Sequence, residues 1–214
     1  MSKTPVLIRV LTCPEDSLNS GRHLGLSYVA NAGWGRFFAD AKTEAITESH
    51  PHSADVDWDN DDRVTDDERS LTRATGVFWR AHVDGFQMTI EEITEADGQS
   101  QTILFTENTN ARNWSSRETF DIGFVVDLDR IAFEPGKDGR LGLNVKSANL
   151  GPFAIRAKPR VLPGRSPVPS SHHTGIWNIA FADGRVDAMN VNIDERVYLQ
   201  LMTPNGQRYG EPEN

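Results

Sequence analysis

Residues 55–68 read Asp-Val-Asp-Trp-Asp-Asn-Asp-Asp-Arg-Val-Thr-Asp-Asp-Glu, eight carboxylates and one guanidinium in fourteen residues. Such a density of like charge repels itself unless a cation sits among the oxygens. Ca²⁺ takes six to eight oxygens, and a twelve-residue loop supplies them from positions 1, 3, 5, 7, 9 and 12. Counted from Asp57, these are Asp57, Asp59, Asp61, the Arg63 carbonyl, Thr65 and Glu68, with apolar Val64 eighth. The sixth position, usually glycine, is Asp62, a residue type that visits left-handed backbone more readily than most. Thr65-Asp66-Asp67-Glu68 is a capping box, so a short helix with Leu71 and Ala74 on one face should leave the loop. The pattern predicts a Ca²⁺ clip with an exit helix alone, a half-hand and not a paired sensor. A solvated acidic surface loop is the alternative.

A second constellation is His172, His173 and Asp183, two imidazoles and a carboxylate that could bind Zn²⁺ or Fe²⁺ in a metal-dependent hydrolase. Adjacent histidines in a strand point to opposite faces, and Asp183-Gly184 has the composition of a hairpin turn. The structural reading is therefore preferred: His173 bonds a neighbouring loop and Asp183-Gly184 makes the turn. Glu107 and Asn108 close an apolar strand, where pairing with Arg112 or Arg117 is favoured over chemistry. Ser27, Ser115, Ser116, Ser170 and Ser171 lack the Gly-x-Ser-x-Gly setting of an exposed nucleophile. Cys13, followed by proline and flanked by acids, reads as a buried, unactivated thiol. The five tryptophans (Trp34, Trp58, Trp79, Trp114, Trp177) are spread along the chain, and core packing is their default use. A cluster of them on one face would instead suit a soluble carbohydrate- or ligand-binding module.

The elements that must position these residues follow from pattern. The chain has 214 residues, a net charge of −9, 17 glycines and 11 prolines, which suits one turn-rich domain with a real core. Eight of the 31 acids but one of the 22 bases lie in 55–68, so the rest is nearly balanced and no basic stripe for nucleic acid exists. No apolar run is long enough to span a membrane. Strands are predicted at Val6–Leu11, Leu26–Ala30, Gln87–Ile93, Thr102–Thr106 and Ile122–Asp127, with turn chemistry at 31–35 and 134–140. Ile176–Phe181, Asp183-Gly184 and Arg185–Met189 form the clearest hairpin signal. Asp194 should cap a last helix with Val197, Tyr198, Leu201 and Met202 on its apolar face. The expectation is α+β, strongly β and mostly antiparallel, with an acidic insertion at 40–75 and a C-terminal hairpin-plus-helix cassette at 170–206 of a single domain.

Three blocks in this order resemble a known family. The first is Leu11-Thr12-Cys13-Pro14-Glu15-Asp16 with Leu26–Gly33; the second is Ile90–Thr94 with Asp97–Asn108 and Trp114. The third is Ser170-Ser171-His172-His173-Thr174-Gly175 with Asn178–Val186 and Ile193–Tyr198, in which nine residues separate His173 from Asp183-Gly184. Together they are similar to the planctomycete-type prepilin family with a C-terminal His-(nine residues)-Asp-Gly domain, over nearly all of residues 6–206. The resemblance implies a pilin-like head: a non-enzymatic, extracytoplasmic structural protein that assembles with other pilin-like subunits or a type II secretion assembly. Members usually begin with a prepilin leader and a long apolar helix. The printed chain opens near the head's Cys-Pro segment, so the expectation is the soluble head without that helix.

Overall fold

The computed structural model describes residues 6–35, 37–39, 46–48, 61–78, 87–111, 113–116, 119–127, 133–135, 141–143 and 167–206. Its centre is a five-stranded sheet of β1 (Tyr28–Gly35), β4 (Ile103–Glu107), β5 (Gly123–Asp127), β8 (Ile176–Phe181) and β9 (Val186–Asn190). The spatial order is β5-β1-β4-β8-β9. β4 runs antiparallel to both β1 and β8, and β9 antiparallel to β8, whereas β5 pairs parallel with β1. The fold is α+β leaning to β as the pattern predicts, but the sheet is mixed and not mostly antiparallel. The short antiparallel pairs β2 (Phe37–Ala39) with β3 (Ile46–Glu48) and β6 (Phe133–Pro135) with β7 (Leu141–Leu143) stand apart from it.

Period-2 burial is clearest in β8, where Trp177, Ile179 and Phe181 are buried and the residues between them are half-buried. These side chains join Val29, Trp34, Ile103, Phe124, Val126 and Met189 in the core. Two helices close over them: α1 (Asp66–Arg73) through Leu71, and α4 (Glu195–Met202) through Tyr198, Leu199 and Met202. Tyr198 meets Trp177 edge-on, with ring centroids 6.3 Å apart. The anchor between α4 and the sheet is Asn31, whose amide donates to the Ile103 and Met202 carbonyls at 2.8 and 2.6 Å.

Several local predictions change in the structure. Val6–Leu11 is not a strand; Arg9–Leu11 form a 3₁₀ turn and Val10 is 79% exposed, because the segment finds no strand partner. Gln87–Ile93 is not a strand either: Ile90–Glu95 are helical (α2), and Thr89 and Glu92 make a capping box like that of Thr65 and Glu68. Residues 31–35 continue β1 instead of turning. Their turn chemistry appears as a register shift between Asn31 and Trp34, with Gly33 at φ +74°. Gly76, after α1, lies against this irregular stretch so closely that a Cβ there would stand 2.3 Å from the Gly33 Cα. The short α3 (Thr119–Ile122) leads directly into β5.

Candidate functional site

Sheet direction brings residues from each of the three sequence blocks to one end of the sheet. Because β4 is antiparallel to β1 and β8, its last residue, Glu107, stands beside the start of both neighbours. Tyr28, the first residue of β1, is registered opposite Glu107. The Ser170 amide donates to the Glu107 carbonyl at 3.0 Å, and the Asn108 amide donates to the Ser27 carbonyl at 2.8 Å. The loop carrying Cys13 is tied to the same end, since the Ser27 amide donates to the Leu11 carbonyl at 2.8 Å.

At this junction Cys13 Sγ lies 3.5 Å from His173 Nε2, and that same nitrogen lies 3.3 Å from Glu107 Oε1. The three atoms lie within 4.8 Å of one another and could hold a metal ion. Glu107 is oriented by Asn178 of β8, whose backbone amide donates to Oε2 at 2.9 Å and whose side-chain amide donates to Oε1 at 3.3 Å. Cys13 and Glu107 are buried, whereas the His173 side chain keeps 29% of its surface exposed. Burial, with the Glu107 carboxylate adding to it, pushes the Cys13 thiol upward despite opposing backbone amides of Glu15 and Asp16. Burial first, then the neighbouring Cys13 and Glu107, raise the Tyr28 phenol to about 12.

The two histidines part company. His172 Nε2 faces Asp16 Oδ1 at 3.7 Å while His173 faces Glu107 and Cys13. Asp16 is 1% exposed and its carboxylate accepts from Ser27 Oγ at 2.7 Å, Asn19 Nδ2 at 2.8 Å and the amides of Leu18 and Asn19. Beside it, Ser170 Oγ donates to Asn108 Oδ1 at 3.1 Å and accepts from the Thr109 amide at 2.9 Å. Ser170 is thus a buried structural hydroxyl bonded on several sides.

Asp183 does not join the histidines. It follows the far end of β8, whose six residues span roughly 17 Å. There it makes the hairpin turn, accepting from the Arg185 amide at 2.9 Å, with Gly184 at φ +84°. The hydrolase centre of His172, His173 and Asp183 is therefore not assembled. Glu107 takes His173 and Asn178 as partners; Arg112 and Arg117, the partners considered from sequence, lie outside the described residues.

Of the calcium-loop residues, Asp57 and Asp59 lie outside the described residues. Asp62, the sixth, has φ +66°, the left-handed conformation such a loop requires at its turn. Asp61 Oδ1 accepts from the Arg63 amide at 2.8 Å. Glu68 is 6% exposed, and its Oε2 accepts from the Thr65 amide at 2.8 Å and Thr65 Oγ1 at 2.9 Å. Thr65 and Glu68 thus also serve as the cap and third residue of α1. Trp34 and Trp177 are core residues and Trp114 is packed against the core, so no described tryptophan offers an exposed sugar platform.

Sequence reasoning missed the meeting of Cys13, Glu107 and His173, which are far apart in the chain. The available signal was that each belongs to a different one of the three ordered blocks. No family model, curated protein or solved structure matches this chain.

Proposed function

We propose that the chain is a non-enzymatic structural head domain of the pilin or pseudopilin kind, working outside the cytoplasm with other pilin-like subunits or a secretion assembly. The observation that supports this reading is the use of the shared-block side chains. Asp16, Asn108 and Ser170 are at most 2% exposed, with Asp16 accepting from Ser27 and Asn108 accepting from Ser170. Groups placed this way join chain segments, a structural use of polar side chains. In the same reading the 57–68 loop is a Ca²⁺ clip that rigidifies the insertion, and the left-handed backbone at Asp62 favours it.

Fractionation of the native cells with an antibody to this chain tests the proposal. The protein is expected in the envelope or surface fraction, cross-linked to pilin-like subunits. A purely cytoplasmic pool with no such cross-links would refute it.

A further inference from the structure

We propose that Cys13, Glu107 and His173 form a binding site for a borderline-soft divalent ion of the zinc class, joining the N-terminal loop, the end of β4 and the segment that leads into β8. A tetrahedral ion with bonds of about 2.0–2.3 Å holds its ligand atoms about 3.3–3.6 Å apart. The observed separations of 3.5 Å between Sγ and Nε2 and 3.3 Å between Nε2 and Oε1 match those edges. Sulfur, imidazole nitrogen and carboxylate oxygen together suit zinc-class ions and not Ca²⁺, which prefers oxygen alone.

The geometry also separates this site from a nucleophilic dyad or triad. In a triad the imidazole uses one nitrogen toward the nucleophile and the other toward the orienting carboxylate. Here a single nitrogen, Nε2, faces both Sγ and Oε1. One nitrogen has either one proton or one lone pair to offer, so it cannot bond both groups at full strength. A cation shared among the three atoms would satisfy the sulfur, the nitrogen and the oxygen together.

Charge points the same way. A thiolate and a carboxylate together balance a divalent ion, which leaves a neutral buried assembly. The oxygens of Glu107 are held for the task by the two Asn178 donors, the type of supporting bond that orients metal-ligating carboxylates. The partly exposed His173 ring provides the approach from solvent, and with three protein ligands a water would complete a tetrahedral set. Binding forms three bonds, Sγ–metal, Nε2–metal and Oε–metal; the Cys13 proton leaves to solvent, and no electron is transferred.

The test uses the full chain, reduced and stripped with chelator, titrated with Co²⁺ as spectroscopic substitute and then with Zn²⁺. Cys13 is the single cysteine of the chain, so a thiolate-to-cobalt charge-transfer band can arise from no other residue. One equivalent of Co²⁺ should produce that band with tetrahedral d–d absorption, and Zn²⁺ should displace it. His173→Ala, at a partly exposed ring, should weaken binding by more than about a hundredfold, beyond what loss of a supporting residue does. Asp183→Asn should leave it unchanged. In the wild type, Zn²⁺ should slow labelling of Cys13 by a thiol reagent, a readout that does not depend on any variant folding. Absence of the charge-transfer band at stoichiometric Co²⁺, its survival in His173→Ala, or labelling unaffected by Zn²⁺ would each overturn the proposal.

Discussion

Asp16 is the residue whose removal should most damage the junction that carries the candidate site. Asp16→Ala deletes a carboxylate that is 1% exposed and accepts from Ser27 Oγ, Asn19 Nδ2 and two backbone amides. Water can reach the amide of the exposed Leu18, and the Asn19 amide keeps the Asp16 carbonyl, but the buried Ser27 hydroxyl and one N–H of the Asn19 side chain, whose other bond goes to the Thr109 carbonyl, would lose their partner. At about 1–3 kcal/mol for each buried polar group left unpaired, the loss of these two should total about 2–6 kcal/mol. That is a large part of the roughly 5–15 kcal/mol that holds a domain folded. Urea unfolding followed by tryptophan fluorescence measures it, because Trp34 and Trp177 are 1% exposed in the folded core. The midpoint should fall with an unchanged slope. A double-mutant cycle with Ser27→Ala isolates the 2.7 Å bond and should give a coupling of about 1.5–3 kcal/mol, as for hydrogen bonds to charged groups. A total loss below about 1 kcal/mol, or a coupling below about 0.5 kcal/mol, would refute the reasoning.

Four further outcomes are expected. Gly76→Ala should destabilise by about 3 kcal/mol in the same assay, since its Cβ would meet Gly33 backbone atoms at 2.3 Å and backbone cannot rotate away. Gly184→Ala should cost about 1 kcal/mol through its φ of +84° while leaving any Co²⁺ spectrum intact, which separates the hairpin turn from the metal ligands. Stability should fall as pH rises from about 10 toward 12: the unfolded chain releases the Tyr28 proton near its ordinary pKa while the folded chain holds it to about 12, so alkali favours unfolding. Tyr28→Phe should make that fall shallower in a pH series of melts. Millimolar Ca²⁺ should raise the melting temperature, and Asp59→Ala should remove the shift; identical melts in Ca²⁺ and chelator would end the clip reading.

Much of the local architecture is readable because its causes lie within a few residues. Thr65 and Glu68 announce α1 by the reciprocal bonds they make, and Asp183-Gly184 announces its hairpin by the backbone angles it tolerates. The same logic was available for Thr89 and Glu92, yet the apolar residues of 87–93 suggest a strand; the capping box prevails there. Val6–Leu11 has strand-like composition, but a strand needs a neighbour, and composition does not supply one. The parallel β1–β5 pairing is likewise invisible to a local pattern, because strands of either direction carry the same side-chain alternation.

Taken alone, the sequence determines that the chain is α+β leaning to β, that its net negative charge is concentrated in residues 55–68, and where the capped helix α1 and the Asp-Gly turn lie. Those properties follow from interactions between residues a few positions apart. Which histidine meets which acid is decided only by tertiary structure. Antiparallel pairing of β4 with β8 places Glu107 beside the start of β8, and the loop bonded to Ser27 brings Cys13 beneath it. The nine residues between His173 and Asp183 then measure a strand that holds the two apart, while Cys13 and Glu107, far away in sequence, come within bonding distance of one imidazole. Sheet register sets that meeting, and register is a property of paired strands, not of any one segment.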